Sequence, residues 1–328
     1  MAEYDLVGIG NALVDVLAPV EDTFLEARAL DKGAMTLVDN ERSAEIYKDM
    51  PPAREVSGGS CGNTMAGFAS LGGKGAFIGK VRDDQLGTVF RHDMQLIGVE
   101  FATPAVSEGP ATGSCLVLIT PDAQRTMCTN LGAASYLTPA DIDKETIQSA
   151  KVVYMEGYLF DPPDAQAAFV EAANAAHDAG RKVSITLSDP FCVDRHRHAL
   201  QILVADHIDI LFGNEEEIKS LYQVDDFDAA LRHVRGHCEI VCLTRSDKGS
   251  VILSDDEVHI IDPLPLDSVV DTTGAGDQYA AGFLYGYTQG MDIKRCGQIA
   301  TLTATEVISH VGARPETNLK ELIELELG

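Results

Sequence analysis

The run Asp271-Thr272-Thr273-Gly274-Ala275-Gly276-Asp277 joins an anion cradle to a base. It follows the β-branched pair Val269-Val270, which predicts the end of an extended segment, and precedes Tyr279 to Tyr287, which reads as a buried helix. A small-residue turn opening a helix presents free backbone N–H groups and the positive end of the helix dipole. Phosphate is the usual anion at such a place. A carboxylate there, Asp277, has a use if it takes a proton from a hydroxyl attacking phosphorus, a recurring part of phosphoryl transfer. The plainer alternative is an Asp that only caps the helix.

Four further groups have chemistry-bearing spacing. Gly58-Gly59-Ser60-Cys61-Gly62-Asn63 is a second glycine-rich turn opening a helix. Its glycines let a ligand touch backbone, and Asn63 offers a donor and an acceptor. Asp15, after Gly10-Asn11-Ala12-Leu13-Val14, lies in an apolar strand, where a carboxylate is unfavourable unless paired or ligand-bound. It suits two neighbouring hydroxyls, such as a ribose 2′,3′-diol; otherwise it is a hydrogen-bonded strand-end Asp. Asn214-Glu215-Glu216-Glu217 places three acids at a helix start, where a cap is the simple explanation. Thr244-Arg245-Ser246-Asp247-Lys248-Gly249 joins two strands. No Walker A loop is present, and Gly8-Ile9-Gly10 lacks the third glycine of a dinucleotide fingerprint.

The elements that must hold these groups alternate. From Val152 the order is strand (Val152 to Met155), helix (Ala165 to Ala179), strand (Val183 to Leu187) and a helix near His196 to Val204. Then come strand Ile208 to Phe212, helix Glu215 to Leu221, helix Phe227 to Arg235, and strands Ile240 to Leu243 and Ser250 to Leu253. Upstream, Leu6 to Ile9, Leu13 to Ala18 and Ala76 to Ile78 read as strands, and Ser60 to Leu71 and Gln85 to Ile97 as helices. Such alternation predicts an α/β fold: a three-layer α/β/α, Rossmann-like domain on a mainly parallel sheet, with ligands at the carboxyl ends of the strands. Roughly 12–52 and 100–132 break the rhythm. They read as strands without comparable helices, with a hairpin of Ser114 to Thr120 and Thr126 to Asn130 across Pro121-Asp122-Ala123. We expect a small β-sheet lid there, whose closure would keep water from the phosphoryl group; a peripheral packing sheet is the alternative.

Composition bounds the partners. The chain has 328 residues, 45% hydrophobic, enough for a sizeable core. Its net charge of −26 makes nucleic acid and anionic membranes poor partners. Seven scattered cysteines form no Cys-x-x-Cys pair; Cys238 and Cys242 beside His237 are read as reduced strand residues rather than metal ligands. The N-terminus lacks a signal-peptide pattern, and no apolar run approaches the roughly 20 residues that span a bilayer. A cytoplasmic protein is expected.

The glycine-rich strings, in this order and about 210 residues apart, resemble the two signatures of the ribokinase-like (PfkB) carbohydrate and nucleoside kinases. The resemblance spans nearly the whole chain. It implies Asp277 as base, Gly274, Ala275 and Gly276 as the anion hole, and ATP with Mg²⁺ as co-substrate; a monovalent cation is left open. It also implies a nucleotide site within roughly 208–315, with Asn214, Thr244, Gly249 and Thr272 as ATP contacts and Asn214 and Glu217 organising Mg²⁺ through water. Between Thr244 and Gly249, Arg245-Ser246 departs from the family's commoner Leu-Gly or Gln-Gly.

Within the family the likeness is greatest to the adenosine kinase branch. It is carried by Gly10 to Asp15, Thr112-Gly113-Ser114-Cys115, Arg125, Asn130 to Ala134 and Leu187-Ser188-Asp189-Pro190-Phe191. That branch implies phosphorylation of a nucleoside 5′-hydroxyl, adenosine to AMP, in purine salvage. Substrate contacts would then be Asn11, Leu13, Asp15, Gly58, Gly59, Ser60, Asn63, Cys115, Met127, Tyr158 and Phe191. Tyr158 and Phe191 would flank the purine, or else be core aromatics. Arg125 would swing in with the lid to the transferring phosphate, or else be a solvated hairpin charge. The alternatives are a sugar kinase acting on ribose, fructose or 2-keto-3-deoxygluconate, an inosine or guanosine kinase, and a non-catalytic nucleotide-binding regulator. Monomer and homodimer both remain open.

Overall fold

The structure, a computed structural model, describes residues 2–328 except 123, 256 and 267. Ala123, in the turn of the expected hairpin, therefore lies outside the described residues. The strands are β1 (Tyr4–Ile9), β2 (Leu13–Pro19), β3 (Met35–Leu37), β4 (Arg54–Gly58), β5 (Gly75–Ile78), β6 (Val99–Glu100), β7 (Gly113–Ile119), β8 (Arg125–Asn130), β9 (Ala150–Glu156), β10 (Lys182–Thr186), β11 (Ile210–Asn214), β12 (Ile240–Thr244), β13 (Ser250–Ser254) and β14 (Glu257–Ile261). The helices are α1 (Asp22–Glu26), α2 (Asn40–Asp49), α3 (Ser60–Ser70), α4 (Gln85–Leu96), α5 (Lys144–Gln148), α6 (Pro163–Asp178), α7 (Pro190–His207), α8 (Glu215–Tyr222), α9 (Phe227–Val234), α10 (Ala275–Thr288), α11 (Ile293–Val307) and α12 (Leu319–Glu326).

Nine strands form one sheet in the order β14-β13-β12-β11-β10-β9-β1-β5-β6, parallel from β6 to β12. Its strands are apolar on both faces because helices cover both. Val153 and Met155 of β9 face a core with α6, α8 and α9; Val152 and Tyr154 face the other core, shared with α3, α10 and α11. The chain runs outward from β1 to β5 and β6, then returns to build outward from β9. The strand order thus reverses between β1 and β9, the kind of place where open α/β sheets bind ligands.

The second sheet, in the order β3-β8-β7-β2-β4, holds the hairpin β7–β8 in the register Cys115↔Thr129, while β2 places Asp15 beside Cys115. Four expectations need correction here. Residues 12–52, expected as strands without comparable helices, hold the short α1 and the 10-residue α2, which is capped by Asp39 accepting from Arg42 N. The sheet takes its last strand, β4, from beyond that range, and its share of 100–132 begins only at β7, β6 belonging to the large sheet. Val269-Val270 is no strand: both side chains are exposed, and β14 is the last strand before α10. Pro263 and Pro265, which lack an N–H, end the extended run early. The helix expected near His196 begins at Pro190, where Asp189 caps it, and departs from helical geometry at His196.

Candidate active site

The two glycine-rich helix starts meet. Gly274, at φ +80, caps α10, and an added Cβ would fall 2.6 Å from Ala313 O, so only glycine fits. The first i→i−4 bond of α10 runs from Gln278 N to Gly274 O, so the Gly276 and Asp277 amides ahead of it lack an intrahelical acceptor. An added Cβ at Gly276 would meet nothing within 4 Å; packing does not require this glycine, and the space beside it is open. Facing α10, Gly59 at φ +83 caps α3, pressed against Asn11 O. Ser60 Oγ donates to Asp277 Oδ1 at 2.6 Å and Asn63 Nδ2 to Asp277 Oδ2 at 3.4 Å. Gln278, fully buried, locks the two starts by donating to Asn63 O and Ala313 O, each at 3.0 Å.

This enclosure sets the chemistry of Asp277. Burial pushes its carboxyl up to about 6, the Ser60 and Asn63 donors oppose that, and the charge of Asp15 adds to it. At neutral pH the group is largely ionised and still basic enough to accept a proton. Asp15 is likewise pushed up to about 6 by burial, against the pull of Arg314 and Arg125. Its carboxyl lies on Gly58, where a Cβ would stand 2.4 Å away. Cys115 faces it across the β2–β7 ladder with its thiol raised to about 12 by burial first, then by Asp15. Leu13 opens β2 between Gly58 and Gly113; Met127, half-buried on β8, pairs with Val117 and Met35.

Arg125 is not a solvated hairpin charge. Its Nη1 donates to Asp271 Oδ2 at 2.5 Å, joining the small sheet to the start of the anion loop. Asp271 also accepts from Thr273 N and Oγ1 and from Gly312 N; against burial, these and Arg125 hold its carboxyl below the ordinary value. Thr272, exposed, accepts from Ala275 N through its carbonyl. Tyr158, half-buried after β9, donates from its hydroxyl to Ser188 O at 3.2 Å. Burial first, then the charges of Asp189, Asp277, Glu217 and Glu156, raise its phenol. Phe191 is 75% exposed at the start of α7 and is no core aromatic.

The remaining candidates follow β11 and β12, at the same edge of the sheet. Asn214 and Glu217 form a complete capping box: Asn214 N and Nδ2 donate to the Glu217 carboxylate at 2.9 and 2.6 Å, and Asn214 Oδ1 accepts from Glu216 N and Glu217 N. Burial raises Glu217 to about 7 despite the Asn214 amide. Each Glu217 oxygen keeps a lone pair, which fits an ion held through its own waters, as Mg²⁺ prefers. Among the described residues no three His, Cys, Asp or Glu side chains could hold a bare metal ion, Cys238 and Cys242 included, and Cys238 lies outside any strand. Thr244 ends β12, and Gly249, at φ +76 against Ile261 O, closes the turn into antiparallel β13. Arg245, the departure from the family pattern, pairs with Glu215 at 2.9 Å and lies over Phe227.

Two site residues escaped sequence reasoning. Glu156, 1% exposed at the end of β9, accepts from Asn11 Nδ2, Asn11 N and Cys61 N at 2.7, 3.2 and 2.9 Å. Its signal was present: an acid closing the apolar run Val152 to Met155. Arg314 donates from Nε to Asn63 Oδ1 at 3.2 Å; it follows Gly312-Ala313 outside any motif.

A carboxylate framed by two helix starts at the carboxyl edge of a parallel sheet can take a proton from a hydroxyl beside an anion cradle, the chemistry that phosphoryl transfer to an alcohol needs. The family model described as pfkB family carbohydrate kinase matches residues 31–319, and the chain belongs to that family. Over 94% of its length it is 29% identical to the adenosine kinase of Saccharomyces cerevisiae, covering 95% of that protein. It is 27% identical to a 5-dehydro-2-deoxygluconokinase of Bacillus velezensis, over 98% of this chain and 94% of that one. The solved structure of an adenosine kinase from Sinorhizobium meliloti superposes with a TM-score of 0.90 at 45% identity, over 99% of both chains. A probable sugar kinase from Rhizobium etli CFN 42 matches with the same three values. The protein is a kinase, and its family implies ATP as the phosphoryl donor. No helix among the described residues is long and apolar enough to cross a membrane.

Proposed function

We propose that the protein phosphorylates the 5′-hydroxyl of a purine nucleoside, adenosine before others, at the expense of ATP. One observation carries the reading: Ser60 and Asn63 converge on Asp277 from a helix start more than 200 residues away, so the base and its orienting donors are assembled before any substrate arrives. Asp15 takes the ribose diol, with Asn63 beside it. The second sheet closes over the site as a lid. Asp277 Oδ2, whose contact from Asn63 is long, takes the hydroxyl proton; the oxygen bonds to the γ-phosphorus, the bond from γ-phosphorus to the β-bridging oxygen breaks, and ADP leaves. The Gly274 and Gly276 amides hold the charge that develops, joined by the Ala275 amide once it leaves the Thr272 carbonyl it donates to at rest. Glu217 and Asn214 would hold hydrated Mg²⁺, which when bound neutralises phosphate charge. Arg125, released from Asp271, would add its charge to the phosphate.

ADP release with MgATP, measured on adenosine, inosine, guanosine, ribose, fructose and 2-keto-3-deoxygluconate, tests the substrate. Turnover of adenosine at micromolar concentration with little on sugars is expected. The sugar kinase alternative keeps weight from the exposure of Phe191 and from the equally similar relative called a probable sugar kinase. Turnover of a sugar alone would leave Asp277 in place and remove Tyr158 and Phe191 from the substrate. Asp277→Asn should retain nucleoside binding and lose at least about 10²-fold in kcat; near-normal turnover of the folded variant would refute the base assignment.

A further inference from the structure

The segment between α11 and α12 has no regular structure, yet it is tied down at several points. Glu306 Oε1 accepts from Glu316 N, Thr317 N and Thr317 Oγ1, each at 3.0 Å. Gly312 N donates to Asp271 Oδ2 at 3.0 Å, and Ala313 O accepts from Gln278. What this tethering delivers into the site is the Arg314 side chain. Its Nε is used on Asn63 Oδ1, but its Nη2 is buried with no partner among the described residues. A Cβ built on Gly62 would stand 3.8 Å from Nη2, so that atom lies over the first turn of α3.

Along the same stretch, Asp15 lies over Gly58 and accepts no hydrogen bond and forms no ion pair among the described residues. Arg314 is the first opposing charge that Asp15 feels, and Asp15 the first that Arg314 feels. Asp15 over Gly58 and Nη2 over Gly62 thus stand at the two ends of one glycine-rich turn, and no hydrogen bond or ion pair joins them among the described residues. A buried donor left open is unfavourable by about 1–3 kcal/mol, more when charged. Direct contact would have removed that penalty, so the gap needs a reason. A hydroxyl is both donor and acceptor, and one placed here satisfies both sides.

We propose that Arg314 is a substrate-binding residue that, with Asp15, brackets one hydroxyl of the substrate's vicinal diol: the hydroxyl donates to Asp15 and accepts from Arg314 Nη2. Through Nε the same guanidinium fixes the Asn63 amide so that its N–H groups face Asp277. The inference rests on the reading above that the diol lies at Asp15. It makes the site selective against deoxy substrates, because loss of that hydroxyl leaves the Asp15 carboxylate and the Arg314 Nη2 donor both unpaired, and sites built on such pairing reject the lacking analogue strongly.

The test compares kcat/KM of wild type, Arg314→Met and Arg314→Lys on adenosine, 2′-deoxyadenosine and 3′-deoxyadenosine, with ribose and 2-deoxyribose as the sugar pair and thermal unfolding as the check on folding. Wild type should prefer the diol over one deoxy analogue by about 10²-fold or more. Arg314→Met should lose about 10²-fold on the diol substrate and no more than about 3-fold on that analogue, with Arg314→Lys between them. Equal losses on both, or a wild type indifferent to the missing hydroxyl, would overturn the assignment. The second outcome decides even if the variants do not fold. A wild type active only on sugars overturns the nucleoside reading, and the ribose ratio then decides Arg314. A wild type inactive on every polyol overturns both.

Discussion

Asp15 and Glu156 are two carboxylates against the same glycine-rich turn, and they are used in opposite ways. Burial raises both, Asp15 to about 6 and Glu156 to about 7. Glu156 is answered by three donors from Asn11 and Cys61, so it ties the loop after β1 to the first turn of α3 across the switch point of the sheet. Asp15 is answered by none among the described residues. A buried acid saturated by backbone and amide N–H groups is part of the frame; one left open among charges that stop short of it is held for a ligand. Gly10 and Gly58 mark the same division: a Cβ at Gly10 would strike Glu156 and Cys61, and one at Gly58 would strike Asp15.

The sharpest break of that contrast is Asp15→Ala. It should lower kcat/KM on a diol substrate by about 10³-fold, about 4 kcal/mol of transition-state binding, while the unfolding midpoint does not fall. If activity survives, Asp15 is no ligand and the contrast fails. Glu156→Gln should do the reverse. The amide turns a donor toward Asn11 or Cys61, leaving buried N–H groups unpaired, so folding stability should drop by about 2–3 kcal/mol in denaturant titration. A variant as stable as wild type would show that Glu156 ties nothing.

The sequence allowed one half of this contrast to be read and hid the other. Asp15, Asn63 and Asp277 were legible because glycine-rich turns before helices need particular residues at particular spacings, and the pattern is local. The parallel sheet was legible because strands buried on both faces must alternate with covering helices. Glu156 closes a strand whose burial depends on α3 and Asn11, so only tertiary contact makes it a site residue. Arg314 lies 251 positions from the Asn63 it orients, in a segment without periodicity. The helices α1 and α2 were missed because α1 is little more than one turn and α2, Asn40–Asp49, is mostly polar and buries only Ser43 and Ile46, so neither shows an apolar periodicity. Val269-Val270 misled for the opposite reason: the residues favour a strand, but no strand pairs with them.

A smaller effect sharpens the comparison by pH. Asp277 must be ionised to act, and burial has raised it to about 6. The rate profile of kcat/KM should therefore fall about tenfold per pH unit below about 6. A profile flat down to about pH 5 would mean either that Asp277 titrates much lower or that it is not the base.

The smallest effect is on stability, and its sign separates a ligand-waiting acid from a tie. Asp15 titrates near 3.8 when unfolded and about 6 when folded. Between those values the folded state binds more protons, so its stability falls as pH rises through the window and the charged carboxylate is a burden at pH 8. Asp15→Asn removes that burden while keeping the shape. Each pKa unit corresponds to 1.36 kcal/mol, and because the side chain retains some contact with water the expected gain at pH 8 is only about 1 kcal/mol. The gain should shrink as pH falls towards 4, where wild-type Asp15 also becomes neutral. Denaturant titrations of both proteins at pH 4.5, 6 and 8 measure it. A variant less stable than wild type at pH 8 would mean that the Asp15 charge is already compensated in the folded protein, by Arg314 or Arg125, and that no open place is kept there for a substrate hydroxyl.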